Sequence, residues 1–441
     1  MHKRLPLLLH HAMYSLRGGF LVRPLAITLA LGCAGALFSW LEDVFPAVSA
    51  WVPKVIFPSH ADPQVAQVIL ATIGGSIMTV VSIVFAILLM TLTLASMQFS
   101  PRILLSFARD GVTQWTLGVF LGTFSYCMAA LPAARSEPHP LAPVATVLGA
   151  MVLAVTCVGW LLFFIHHISQ AISVNHIVDK IASETEAVVD GLMPWPRKLT
   201  RMAVDERIEA LRWELTVSSP VSGYIRFIDT KRLVTLAKAD HIKIQVLRRV
   251  GHFVPEGVPF LKISRAERAT PERVAALGAA LDLGPSRTLQ QDVEFGVLQI
   301  VDIALKAISP AVNDPTTAIS CVDQLSRILI RVASREPPES NLYDPPGVLR
   351  VYVPWIGFDK LLDSAFEQIR MYSKADVAVS LRLLRALGDI AQTTKHPEIQ
   401  RMAVDRASRI VAGCAERLGE NEMTEIRVRF SALASVLAPA P

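Results

Sequence analysis

The sequence lacks charge over its most unusual stretch. Between Asp62 and Arg102 it carries no acidic or basic side chain for 39 consecutive residues. A helix needs only about 20 apolar residues to cross a bilayer. This run therefore predicts a membrane-spanning helix longer than the membrane requires, which must either tilt strongly or project from the bilayer at one end.

Several chemistries have no signature here. The five cysteines include no C-x-x-C pair, so neither a zinc ribbon nor a thioredoxin-like site is indicated, and we predict no metal and no cofactor. The zinc-protease and nucleophile-elbow motifs are absent, and so are the P-loop and Rossmann signatures of nucleotide binding. The absence of nucleotide signatures argues against an ATP-driven pump. No predicted span has a charged residue at its middle, which disfavours a proton-coupled transporter.

Charge is concentrated in the later part of the chain. Residues 1–165 hold 8 Lys or Arg and 5 Asp or Glu, whereas residues 166–441 hold 35 and 33. The near balance in each part gives no case for nucleic-acid binding. We therefore predict a transmembrane domain at 1–167, with helices at about 24–41, 65–96, 112–131 and 144–165, followed by a water-exposed region.

The flanking charges predict an orientation. Four Lys or Arg precede the first span, one follows it, two follow the second and one follows the third. Because cytoplasmic loops carry the excess of Lys and Arg, we expect a multi-pass protein with both termini in the cytoplasm. The lipid bilayer is then its first partner.

The water-exposed region changes its periodicity twice. Residues 168–211 are polar and helical in pattern and predict a stalk or linker. Residues 212–268 alternate in the manner of strands and predict a small β-module of four to six strands. Residues 269–441 predict a mainly helical domain with one strand near 348–353. The fold class is thus a four-helix membrane protein with a cytoplasmic α+β region.

The second span carries a series of hydroxyl groups on one helical face. We call this series the hydroxyl stripe: Thr72, Ser76, Thr79, Ser82, Thr93 and Ser96. Small hydroxyls can line a pore. Arg102 beyond the helix end is by default an anchor at the membrane interface, and in a symmetric oligomer it could instead form a ring of positive charge at the pore mouth, which would favour anions. Small and hydroxyl residues also let membrane helices pack closely, so packing is the alternative interpretation.

The densest polar sequence lies between residues 290 and 325. Asp314 before Pro315 predicts a helix N-cap, and Asp302 is expected to pair with Arg287 or Lys306. A free helix N-terminus can alternatively bind an ion or small ligand. The ligand-binding candidates are Asp292, Glu294, Asp302, Asn313, Asp314, Thr316 and Thr317.

Three segments together resemble a known family. They are S-M-Q-F-S-P-R (96–102), Q-D-x-x-F-G (291–296) and S-P-A-V-N-D-P-T-T-A (309–318). The combination is similar to the bacterial predicted membrane proteins catalogued as domain of unknown function 2254, over about residues 10 to 430. The resemblance implies an integral protein of the bacterial inner membrane and implies no activity or catalytic residue.

These observations favour a homo-oligomeric channel or permeation pathway lined by the second span and assembled or gated by the cytoplasmic part. The alternative is a non-conducting sensor or scaffold that binds a ligand or protein through residues 212–441. A membrane-tethered hydrolase using Asp292, Asp302 and Asp314 is the least favoured class.

Overall fold

The computed structural model describes residues 22–45, 62–98, 111–135, 142–171, 173–195, 211–344 and 347–435. The chain forms two compact units, Met1–Ser173 and Val174–Pro441. The described part of the first unit holds α1 (Val22–Val44), α2 (Pro63–Gln98), α3 (Gly111–Ala130, extended by a 3₁₀ turn at Leu131–Ala133) and α4 (Val144–Ala171).

All four helices of the first unit are long and apolar enough to cross a bilayer. Mean hydropathy over their most apolar windows is between 1.4 and 2.4. Much of their outward surface is apolar, including exposed Leu29, Val155 and Leu162, which suits contact with lipid tails. The predicted fold class, four candidate spans followed by an α+β region, is confirmed.

Glycines bring α1 and α3 into close contact. A Cβ added to Gly118 would lie 2.7 Å from Ile27 Cδ1, and one added to Gly122 would lie 2.5 Å from Leu31 Cδ1. A Cβ added to Gly35 of α1 would lie 2.5 Å from the backbone oxygen of Tyr126. Contacts of this kind let two membrane helices approach closely. The residue numbers of the contacting pairs rise together along both helices, so α1 and α3 are parallel.

The described residues of the second unit form two small sheets. The strands are β1 (Leu215–Ser218), β2 (Gly223–Ile228), β3 (Ile244–Val246), β4 (Phe253–Val254), β5 (Pro259–Ile263), β6 (Leu281–Gly284), β7 (Asn341–Asp344) and β8 (Val348–Tyr352). One sheet has the order β1-β5-β3-β8-β7, with β3 and β8 parallel and its other pairs antiparallel. The other has the antiparallel order β4-β2-β6.

One segment within the strand-like pattern at 212–268 is a helix. Residues Thr230–Ala239 form α6, whereas we predicted strands there. Asp229 caps this helix by accepting a hydrogen bond from Arg232 N at 3.0 Å. Leu233 and Ala237, four residues apart, are its buried positions, so the segment packs with helical rather than strand periodicity.

The mainly helical prediction for 269–441 missed two strands. After helix α7 (Pro271–Gly278), β6 pairs with β2, and β7 lies beside β8 where one strand was expected. Gly347 closes the turn between β7 and β8 by donating its N–H to Asp344 O at 2.8 Å, with a φ of +139°. Both missed strands have only four residues, too few for a clear alternation.

A layer of helices completes the second unit. It contains α5 (Val174–Leu192), α8 (Val293–Ala307), α9 (Pro315–Ala333), α10 (Phe358–Tyr372), α11 (Val377–Thr393), α12 (Pro397–Ala415) and α13 (Glu420–Ala434). Instead of standing free as a stalk, α5 buries Ile181 and Val189 among these helices. It runs parallel to α9, since Arg327 pairs with Asp179 and Arg331 pairs with Asp190. The rest of the predicted linker, residues 196–210, lies outside the described residues.

Candidate functional site

The hydroxyl stripe lies opposite the packed face of α2. Among its described side chains, the buried positions of this helix are Pro63, Ala66, Leu70, Gly74, Ile77, Val81 and Val84, and it packs against α3 and α4. Thr72, Ser76, Thr79, Ser82 and Thr93 are all exposed on the single chain. At 100° per residue the two sets occupy opposite sides of the helix. The stripe therefore makes no packing face within the described part of this unit.

Four of the stripe hydroxyls donate hydrogen bonds to the backbone of their own helix. Thr72, Thr79 and Ser82 donate to the backbone oxygens four residues earlier, at 2.6, 3.2 and 3.1 Å. Thr93 does the same at 2.8 Å. This arrangement removes the cost of an unpaired donor in a membrane and leaves the hydroxyl oxygens as outward acceptors. The Ser96 side chain and Arg102 lie outside the described residues.

A buried carboxylate joins α1 to α4. Glu42 accepts hydrogen bonds from the N–H groups of Ala145 and Thr146 at 2.7 and 2.8 Å, and from the Thr146 hydroxyl. It is 1% exposed. Its negative charge lies at the positive end of the α4 dipole, which stabilises it there. The first span predicted from the sequence, about 24–41, stops before Glu42, because a contact between two distant spans leaves no local signal.

The Q-D-x-x-F-G segment builds a network of charges at the start of α8. Asp292 caps the helix through Phe295 N at 3.1 Å and accepts two hydrogen bonds from Arg287 at 2.8 Å. Glu294 accepts one from Arg287 at 2.9 Å and two from Arg249, at 3.0 and 3.1 Å. Of the two partners predicted for Asp302, Arg287 and Lys306, Arg287 thus pairs with Asp292 and Glu294 instead.

This network holds the sheets to the helix layer. Gln291 bonds both backbone groups of Ile228 in β2, at 2.9 and 3.2 Å, and Ser364 of α10 donates to Glu294 at 3.1 Å. Gly251, at φ +86°, leaves room for Arg287, which a Cβ would displace. We call this cluster (Arg249, Arg287, Gln291, Asp292, Glu294 and Ser364) the charged joint.

The two arginines hold the Glu294 carboxylate in its charged form. Burial alone raises the pKa of Glu294, but the charges and hydrogen bonds of Arg249 and Arg287 outweigh it and leave the pKa below its ordinary value. Two arginines and two carboxylates balance in charge. The joint is thus a neutral structural unit.

The S-P-A-V-N-D-P-T-T-A segment is a tight turn between α8 and α9. Asp314 caps α9 by accepting from Thr317 N at 3.1 Å and from the Thr317 hydroxyl at 2.6 Å. The Thr317 hydrogen bonds lower the pKa of Asp314 below its ordinary value. Asn313 has a φ of +50°, and both it and Thr316 are exposed. The predicted N-cap is confirmed.

The ligand-binding candidates fall into three places. Asp292 and Glu294 belong to the charged joint, while Asn313, Asp314, Thr316 and Thr317 form the turn at the far end of α8. Asp302 is half-buried on α8 between them. Over the described ranges, no three His, Cys, Asp or Glu side chains are grouped as metal ligands.

Comparisons with known proteins identify the family of this chain. The sequence profile described as "Predicted membrane protein (DUF2254)" matches residues 17–389. Uncharacterized proteins of Mycobacterium tuberculosis and Mycobacterium bovis are each 31% identical over 413 residues, covering 91% of this chain and 77% of the relative. No solved structure matches the chain. The resemblance seen in the sequence is confirmed, and the chain belongs to the DUF2254 family of predicted membrane proteins.

Proposed function

We propose that this multi-pass membrane protein is a homo-oligomeric permeation pathway lined by α2 and assembled or gated by its second unit. The observation that carries the proposal is the position of the hydroxyl stripe. Five hydroxyl residues of α2 are exposed opposite its packed face, four of them within the candidate span Pro63–Met90, where a purely lipid-facing helix would present larger apolar groups. Copies arranged around a common axis would turn these hydroxyls toward a shared lumen.

The spacing of small residues supports contact between copies of α2. Gly75, Thr79, Ser82 and Ala86 are exposed and follow one another at intervals of four, three and four residues. This is the spacing at which helices cross at about 20° with side chains interlocked. Small side chains at these positions allow a close approach in a membrane.

The orientation of the hydroxyls supports cations or water as the permeating species. Each bonded hydroxyl of the stripe donates its proton inward to the helix backbone, so its oxygen lone pairs are available outward. Oxygen acceptors replace the hydration shell of a cation. Between Pro63 and Gln98 there is no fixed charge that would hold an ion in place.

Flux measurements test the pathway directly. Purified full-length protein in liposomes is expected to conduct K⁺ or Na⁺ in preference to Cl⁻, and Thr79→Leu or Ser82→Leu should reduce that flux severalfold. Phe85→Leu is the matched control, because Phe85 is exposed on the same helix but is not part of the stripe. Equal flux in all four proteins would contradict the proposal.

Cross-linking tests the assembly separately. In a Cys33→Ala background, Thr79→Cys should form disulfide-linked dimers in membranes, whereas Phe85→Cys should not. The alternative function, a scaffold acting through residues 212–441, predicts that neither variant cross-links and that no ion is conducted. Monomers without flux would therefore reject the pathway in favour of that alternative.

A further inference from the structure

The first unit contains a cavity of about 540 Å³, wide open to its surroundings, where α2 begins and α3 ends. Its walls combine apolar residues with one amide and one guanidinium group. The lining residues are Gln67, Val68, Ala71, Leu131, Pro132, Ala134 and Arg135. A cavity that is apolar along most of its wall and polar at one end has the character of an amphiphile site.

The guanidinium in the cavity wall belongs to Arg135, which forms an ion pair with Asp43; the Asp43 side chain borders the cavity only through this pair and is not one of the lining residues. Arg135 Nη2 makes both hydrogen bonds to Asp43, at 2.8 and 3.0 Å. The two side chains are 41% and 39% exposed, so the pair is open to solvent and weak by itself. Arg135 Nε is buried and has no hydrogen-bond partner among the described residues. The guanidinium is therefore only partly satisfied, and its other terminal nitrogen can donate to a further acceptor.

The apolar wall is held in place by the backbone around Ala134. Gln67 of α2 donates its side-chain N–H to Ala134 O, which ties the start of α2 to the segment that follows α3. Val68 and Ala71 lie one and four residues further along α2 and are exposed. They provide an apolar track that leads from the ion pair along a candidate membrane span.

We propose that this cavity binds a phospholipid whose headgroup carries both a phosphate and a primary ammonium group. The phosphate accepts from Arg135, the ammonium donates to Asp43, and one acyl chain follows Val68 and Ala71. Charge complementarity selects this headgroup, because the Arg135–Asp43 pair offers one charge of each sign. An anionic headgroup without an amine would meet Asp43 as a repulsive neighbour. The proposal does not depend on the permeation pathway.

Lipid titration of the full-length protein in detergent tests the site. Phosphatidylethanolamine should bind about tenfold more tightly than phosphatidylcholine, whose quaternary ammonium cannot donate a hydrogen bond to Asp43. Phosphatidylglycerol should also bind more weakly, because it lacks the amine. Native mass spectrometry of retained lipid gives the readout. Equal retention of the three lipids would overturn the proposal.

Substitutions at the ion pair test whether Arg135 and Asp43 cause the lipid preference. Arg135→Gln and Asp43→Asn should each abolish the preference for phosphatidylethanolamine, and either one that folds suffices for the test. Arg23→Gln is the matched control, because Arg23 lies beside Gly111 at the opposite end of α1 and α3. A preference that survives at Asp43→Asn would reject the assignment.

Soluble headgroups distinguish a lipid from a free ligand. O-phosphoethanolamine should compete with the lipid only weakly, since it gains nothing from the apolar track, and inorganic phosphate should not compete. Displacement of the lipid by inorganic phosphate at matched concentration would instead make this a simple anion site and overturn the proposal.

Discussion

Asp292 and Asp314 perform the same local task in different surroundings. Each caps a helix by accepting a hydrogen bond, 3.1 Å long, from the backbone N–H three residues later. Their backbone angles are nearly the same, with φ and ψ of −117° and 84° at Asp292 and of −115° and 82° at Asp314. Asp292 is 3% exposed and bonded to Arg287, whereas Asp314 is half-buried and bonded to a hydroxyl. Identical caps can therefore differ widely in how strongly the fold depends on them.

The largest expected effect is at Asp292. Asp292→Ala removes the cap and leaves Arg287 buried with only Glu294 as a partner, so we expect a loss of about 3–5 kcal/mol. Thermal unfolding of the full-length protein in detergent measures it. Asp292→Asn keeps the hydrogen-bond acceptor for Phe295 and should cost less. If Ala substitutions at Asp292 and Asp314 lowered Tm equally, the contrast between the two caps would be false.

A second test uses pH. Burial and the charge of Arg249 lower the pKa of His252 below its ordinary 6.5, and Glu294 has a pKa below its ordinary 4.5. In both cases the unfolded chain takes up a proton before the folded protein does. The contributions of His252 and Glu294 to stability are therefore fully present above their ordinary pKa values. Each contribution is lost as the pH falls through the lower pKa of that residue in the folded protein.

The Tm of the full-length protein should accordingly fall in two steps. The first step begins near pH 6.5 and the second near pH 4.5, and about 2–4 °C corresponds to each kcal/mol in a unit of this size. His252→Gln should remove the first step and leave the second. A variant that retained both steps would show that the first does not come from His252.

Local signals were enough to predict the spans and one of the caps. The uncharged run located α2, and the Asp-Pro pair at 314–315 located the start of α9. Both are properties of neighbouring residues, such as hydrophobicity and capping chemistry. The helix at Thr230–Ala239 was missed because its Val and Ile-rich surroundings imitate a strand, although Asp229 offered a capping signal.

Contacts between distant residues could not be predicted. Glu42 is 103 residues from Ala145, and Arg249 is 45 residues from Glu294. Sequence pattern records which residues are polar but not which ones converge in space. The hydroxyl stripe was visible as a pattern, yet only the packing of α2 placed it opposite the buried face.

The smallest expected effect is at Asp314. Asp314→Ala should cost about 1 kcal/mol, the usual value of a lost N-cap, and Asp314→Asn should cost little because asparagine caps equally well. Thr316→Ala is the control, since Thr316 is exposed beside the cap. Thermal unfolding again provides the measurement. If Asp314→Asn were as costly as Asp314→Ala, the negative charge itself would matter, and that result would favour an ion or ligand at this turn over a cap alone.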